Sequence, residues 1–218
     1  MDERFRDRTE AGRALAERLS SYAGRDDLVV LALPRGGLPV AFEIASALKA
    51  PLDVFVVRKL GVPGQEELAM GAIASGGVRV VNEDVTRDLH IDRATVERVA
   101  QMESEELRRR ESVYRGGRPP AQLEGKVAIL VDDGIATGST MRAAIDAVRR
   151  RGPRAVIVAV PAAAPSTCRE IGREVDEIVC VRTPEPFFAV GAWYEDFEQL
   201  TDDDVRRILE EAATPGDA

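Results

Sequence analysis

Residues 132–140 read DDGIATGST: two adjacent carboxylates, then a turn of small residues broken only by Ile135. Small residues let the backbone turn tightly and bring several N–H groups together. If a helix begins just after them, those N–H groups and the positive end of the helix dipole form an anion site. The hydroxyls of Thr137, Ser139 and Thr140 add donors, so the turn suits a phosphate monoester. Asp132 and Asp133 suit the opposite kind of partner. Carboxylates accept hydrogen bonds from sugar hydroxyls or help to hold a hydrated Mg²⁺. A phosphate cradle beside a grip for a diol or a metal is the layout of a ribose 5-phosphate.

The elements that must position these groups are legible on either side. Residues 127–131, VAILV, form an apolar, β-branched run that reads as a buried strand delivering Asp132 and Asp133. Met141, Ala144, Ile145 and Val148 follow at i, i+3, i+4 and i+7, so a helix leaves the turn. A second strand-turn-helix unit comes earlier. Residues 28–33, LVVLAL, read as a buried strand, Pro34-Arg35-Gly36-Gly37 as a turn, and 38–49 as a helix. The two glycines admit an anion closely, and Arg35 offers it a fork of donors. Two other phosphate loops are excluded: no Lys follows Gly138 as a Walker A loop requires, and no G-x-G-x-x-G occurs here.

The rest of the chain supplies a frame. An apolar stripe of Ala11, Leu15, Leu19 and Tyr22 predicts a helix over 8–22. Strands are expected at 52–57, 78–81, 155–160 and 177–181, and helices at 92–114, 165–172 and 202–211. In the long helix, Glu105–Arg109 and Glu106–Arg110 are spaced i, i+4, each worth ~0.3 kcal/mol. Residues 115–123, RGGRPPAQL, form a connector, and 212–218 a fraying tail. His90, the only histidine, has no second imidazole to share a metal with and reads as structural or solvent-facing. Repeated βα units with buried strands predict an α/β fold, a doubly wound and mostly parallel sheet, with ligand at the strand carboxyl ends.

Length and charge set bounds. The 218 residues suit one domain, with a core over about 25–181 and a hood over about 182–200 joined by terminal helices. A net charge of −8 disfavours nucleic acid and anionic membrane as partners. The first residues lack the apolar region of a secretory signal, and no apolar run approaches a membrane span. Two cysteines, Cys168 and Cys180, imply no disulfide framework and fit a reducing cytoplasm.

The run from Ile129 to Met141, an apolar strand followed by Asp-Asp-Gly-x-Ala-Thr-Gly-Ser-Thr, strongly resembles the phosphoribosyl pyrophosphate (PRPP) loop of type I phosphoribosyltransferases. That resemblance implies an Mg²⁺-dependent transfer of ribose 5-phosphate from PRPP to a small nitrogenous base, with release of pyrophosphate. It assigns Ala136, Thr137, Gly138, Ser139 and Thr140 to the 5-phosphate. Asp132 and Asp133 fall to the ribose hydroxyls and the metal, as catalytic groups together with Arg35. Arg35, Gly36, Gly37, Arg58 and Lys59 would meet pyrophosphate, and 61–76 would be a mobile loop closing over the reaction; a surface β-hairpin is the alternative for that segment. Phe188-Ala189-Val190-Gly191 resembles the run in hypoxanthine-guanine phosphoribosyltransferases whose Phe stacks on the base, so Phe188 is the stacking candidate. The basic residue that reads a 6-oxopurine has no counterpart in VPAAAP, 160–165. Family members are often homodimers. A non-catalytic PRPP or nucleotide sensor on the same fold would keep the cradle without turnover. A phosphoacceptor signalling domain also pairs aspartates on Mg²⁺, but after its first strand and without a TGST turn.

Overall fold

The computed structural model describes residues 4–213, the side chain of Glu67 excepted. In chain order the elements are α1 (Arg8–Arg18), β1 (Leu28–Ala32), α2 (Gly37–Leu48), β2 (Leu52–Val54), β3 (Val57–Val62), β4 (Gln65–Ala74), β5 (Val78–Val81), α3 (Glu83–Asp88), α4 (Arg93–Arg115), β6 (Val127–Val131), α5 (Ser139–Arg149), β7 (Ala155–Ala162), α6 (Pro165–Ile171), β8 (Glu177–Arg182) and α7 (Asp202–Ala213). Five strands form a parallel sheet in the order β2-β1-β6-β7-β8. β1 and β6 lie side by side, Leu28 opposite Val127 through Ala32 opposite Val131. The chain builds outward from β1 in one direction to β2 and in the other through β6 to β8. The switch point, where ligands of such sheets bind, therefore lies between β1 and β6.

Both faces of the sheet are covered, which is why its strands are apolar throughout rather than alternating. Leu28, Val30, Ala32, Ile129 and Val131 turn to one side and pack with Leu15, Leu19, Leu38, Ile44, Val205 and Leu209 of α1, α2 and α7. Val29, Leu31, Ala128, Leu130 and Val158 turn to the other, against Met141, Ala144, Ile145, Val148 and Ile171 of α5 and α6. The expected stripe of α5 is thus its buried face, although the helix opens at Ser139 rather than Met141.

Three expectations are corrected. The strand read over 52–57 leaves the parallel sheet after Val54; the Val56 amide donates to the Ser75 hydroxyl at 2.9 Å, and the chain turns into a separate three-stranded antiparallel sheet, β3-β4-β5. Most of the segment read as a mobile loop, 61–76, belongs to that sheet. The physical reason is burial: Leu60, Val62, Met70 and Ile73 join the same core as α1 and α2, which a free loop cannot do. Finally, Cys168 of α6 and Cys180 of β8 are joined in a disulfide across 12 residues of chain.

Smaller differences are local. α4 carries the expected inner face, and Glu106, rather than Glu105, takes Arg109 while also taking Arg110. His90 is exposed. Of the expected tail, Ala212 and Ala213 remain helical and 214–218 lie outside the described residues. No helix among the described residues is long and apolar enough to cross a membrane.

Candidate functional site

The two strand-turn-helix units meet at the switch point because β1 and β6 are neighbours in register. β6 ends at Val131, and residues 132–138 turn into α5. Gly138 sits at φ 79°, a left-handed conformation that glycine adopts without strain, and it caps the helix. A Cβ there would also meet Thr167 at 2.9 Å. The loop is braced from two sides. The Thr167 hydroxyl of α6 donates to the Ala136 carbonyl at 2.7 Å. Arg142, in the first turn of α5, donates to the Thr137 carbonyl at 3.0 Å and is itself held by Glu170 and Glu174. With these carbonyls engaged from behind, Thr137, Ser139 and Thr140 stay exposed beside the start of an 11-residue helix. A cavity of about 120 Å³ opens here, lined by Asp132 and residues 134–141. Exposed hydroxyls at the start of a helix are the groups an anion cradle would need.

The other loop packs directly on the end of β6. The Pro34–Arg35 peptide is cis. A Cβ on Gly36 would lie 1.9 Å from Oδ2 of Asp133, and one on Gly37 would lie 2.6 Å from the Val131 carbonyl oxygen. Both glycines are needed for this close approach. Arg35 reaches away from the carboxylates, its Nη1 standing 3.9 Å from Oδ1 of Asp202 at the start of α7.

The two carboxylates have different surroundings. Oδ1 of Asp132 accepts from the Asp133 amide at 2.9 Å, and its side chain lines the cavity. Asp133 takes the Arg8 guanidinium, Nε and Nη2 each at 2.9 Å from Oδ2, and its carboxyl stays within hydrogen-bonding reach of Asp132. Burial pushes the Asp132 carboxyl well above the usual range, with the charge of Asp133 adding to it. Burial also raises Asp133, though Arg8 opposes the shift. Among the described residues, no three His, Cys, Asp or Glu gather where they could hold a metal ion. Mg²⁺ can be held by one or two carboxylates plus phosphate oxygens, and Asp132 meets that requirement. Asp133, paired with Arg8 through Oδ2, does not line that cavity.

The basic pair from the β3 end is split. Arg58 donates to Glu103 of α4 at 2.7 Å, away from the cradle. Lys59 lines a second cavity of about 70 Å³ together with Ser139 and Thr140, so it stands beside the phosphate loop rather than beside Arg35. The hood is anchored by the N-terminal segment. Phe5 pairs with Tyr194, and the Tyr194 hydroxyl, whose pKa burial raises, donates to the Asp133 carbonyl at 2.6 Å. Phe187 stacks on Trp193, whereas Phe188 is 84% exposed.

Arg8, Arg142, Thr167 and Tyr194 are the site residues that the sequence does not reveal. Arg8 lies 125 residues from its carboxylate, and only the packing of α1 against the sheet brings them together. Arg142 carried the one available signal, a cation one turn inside the helix that follows the loop.

The family model of the phosphoribosyl transferase domain matches residues 6–195. Rv0571c of Mycobacterium tuberculosis, provisionally named a phosphoribosyl transferase, is 50% identical over 208 residues, which is 95% of this chain and 47% of that protein. The chain thus spans about half the length of that relative. The bifunctional protein PyrR of Clostridium acetobutylicum is 30% identical over 145 residues, 66% of this chain and 62% of that one. Among solved structures, TT1426 of Thermus thermophilus has a TM-score of 0.87 and 45% identity, covering 97% of this chain and 100% of its own.

Proposed function

The chain belongs to the phosphoribosyl transferase domain family, and from that premise we propose that it transfers ribose 5-phosphate from PRPP to a small nitrogenous base, releasing pyrophosphate. One observation carries the reading: the small-residue turn with its three hydroxyls and the Asp132 carboxylate line the same cavity at the switch point. The 5-phosphate binds at residues 136–140, on the N–H groups at the start of α5 and the hydroxyls of Thr137, Ser139 and Thr140. Lys59, on the neighbouring cavity wall, adds positive charge to that end. The sugar hydroxyls face the acidic end of β6. The pyrophosphate lies toward Arg35, Gly36 and Gly37, with the Arg35 guanidinium as its donor.

In the reaction the bond from C1 of the ribose to the pyrophosphate oxygen breaks, and a bond from C1 to the acceptor nitrogen forms. The electron pair of the broken bond leaves with pyrophosphate, and a proton on the acceptor nitrogen is given up to solvent. C1 passes through an oxocarbenium-like state, and the carboxylate at the end of β6 stabilises the positive charge. Asp132 would hold a bound Mg²⁺ together with phosphate oxygens, and that ion would supply positive charge to the leaving group. Phe188, exposed on the hood, gives the base a face to stack on.

Calorimetric titration with Mg·PRPP, followed by a screen of bases for pyrophosphate release, tests the proposal. Saturable binding and release with at least one base support it. Binding without release from any base would leave the chain a PRPP sensor. No binding by the wild type would remove the reading.

A further inference from the structure

Asp133 is enclosed before any ligand arrives. Its Oδ2 takes two nitrogens of Arg8, with the two side chains only 11% and 15% exposed. The remaining nitrogen of that guanidinium, Nη1, donates to the Glu198 carbonyl at 2.9 Å. The ring of Phe197 covers the guanidinium, its centroid 3.9 Å from Cζ, within the range of a cation–π contact. Gly36 closes the carboxylate from another side, and the Tyr194 hydroxyl holds its backbone carbonyl. Arg8 reaches Asp132 only through its charge, and of the two it is the Asp132 carboxylate that lines the cavity. The two carboxyls lie within hydrogen-bonding reach of each other, yet Asp132 is the one on the cavity wall.

We propose that Arg8 is a positioning residue for the sugar site: it takes up the charge of Asp133 beneath Gly36, so that Asp132 alone is offered to the ribose hydroxyls. The inference rests on the sugar-phosphate reading of the cradle. Asp133 then works through what it fixes. Paired with Arg8, it seats loop 34–37 against β6 and joins α1, the hood and the acidic turn. An unpaired second carboxylate would place a like charge beside Asp132 and near the incoming phosphates. Removing one member of a buried pair leaves the other unsatisfied, whereas removing both is far milder.

That asymmetry gives the test. Mg·PRPP affinity is measured by calorimetry for the wild type, Asp132→Asn, Arg8→Gln and the double variant Arg8→Gln with Asp133→Asn, each checked for native circular dichroism. Asp132→Asn should weaken binding by about tenfold to a hundredfold, as for a lost hydrogen bond to a charged group. Arg8→Gln should weaken it about tenfold by leaving the Asp133 carboxylate unpaired. The double variant, which lacks the Asp133 carboxylate altogether, should return to within about threefold of wild type. A merely structural pair would not produce that rescue of ligand affinity. A double variant as weak as Asp132→Asn would show Asp133 to be a sugar ligand and overturn the inference while leaving the site's assignment intact. A wild type that does not bind PRPP would overturn the assignment, and the inference with it.

Discussion

A Cβ on Gly36 would stand 1.9 Å from Oδ2 of Asp133, so the loop after β1 and the turn after β6 fit together only while residue 36 has no side chain. The obstructing atom is not a flexible tip, because Arg8 holds that carboxylate from the other side. Gly36→Ala is therefore expected to push the two loops apart, destabilising the protein by about 1–3 kcal/mol as overpacking does. Thermal unfolding measures the loss. A parallel titration should show weaker Mg·PRPP binding, since the same displacement moves the pyrophosphate end of the site.

Thr167 braces the cradle from outside it. Its hydroxyl donates to the Ala136 carbonyl at 2.7 Å, and the residue is 7% exposed. Thr167→Val keeps the shape and removes the donor, at a cost of about 1 kcal/mol. The expected result is PRPP binding several-fold weaker, with an unchanged maximal rate once PRPP saturates. Steady-state kinetics against PRPP concentration separates the two parameters.

Burial raises the Asp132 carboxyl above its ordinary range, so the folded protein holds that proton to higher pH than the unfolded chain does. Its contribution to stability is complete below the unfolded value of about 3.9 and is lost as pH rises through the raised folded value. Ionised Asp132 therefore opposes folding at neutral pH. Asp132→Asn should raise the melting temperature near pH 7, by about 2–4 °C for each kcal/mol recovered. It should also flatten the fall in stability with pH while weakening PRPP binding by the same about tenfold to a hundredfold. Melting curves across pH for both proteins decide this; an Asn variant less stable than wild type at neutral pH would contradict it.

Phe188 is 84% exposed, so it contributes little packing. Phe188→Ala should leave thermal stability and PRPP affinity as they are. If the ring stacks on the acceptor, its loss removes roughly 1–3 kcal/mol, the range for base–aromatic stacking. The Michaelis constant for the base should then rise accordingly. A variant with unchanged kinetics toward every accepted base would take Phe188 out of the site.

The parallel sheet is legible in the sequence because its physics is local. Apolar, β-branched runs at 28–33, 127–131 and 155–160 read as buried strands, and the helix stripe 141-144-145-148 is period-true. The cradle is legible for the same reason: glycine, hydroxyls and helix start follow one another in the chain. The antiparallel sheet is legible only in part: 78–81 reads as a strand, but 61–76 reads as a mobile loop with a surface β-hairpin as the alternative, because Gly61, Gly64 and Gly71 suggest breaks and the pairing depends on neighbours supplied by the core. The division between Asp132 and Asp133 is out of reach, since it depends on Arg8, 125 residues away. The parting of Arg58 from Lys59 depends likewise on Glu103 of α4. The Cys168–Cys180 bond needs α6 to lie beside β8.

A crystal structure of this chain soaked with Mg·PRPP tests the central claim most directly. The account predicts the 5-phosphate on the backbone N–H groups of 137–140 and a ribose hydroxyl on Asp132, with Asp133 still on Arg8. A sugar phosphate bound anywhere else, or a cradle left empty at saturating PRPP, would contradict it.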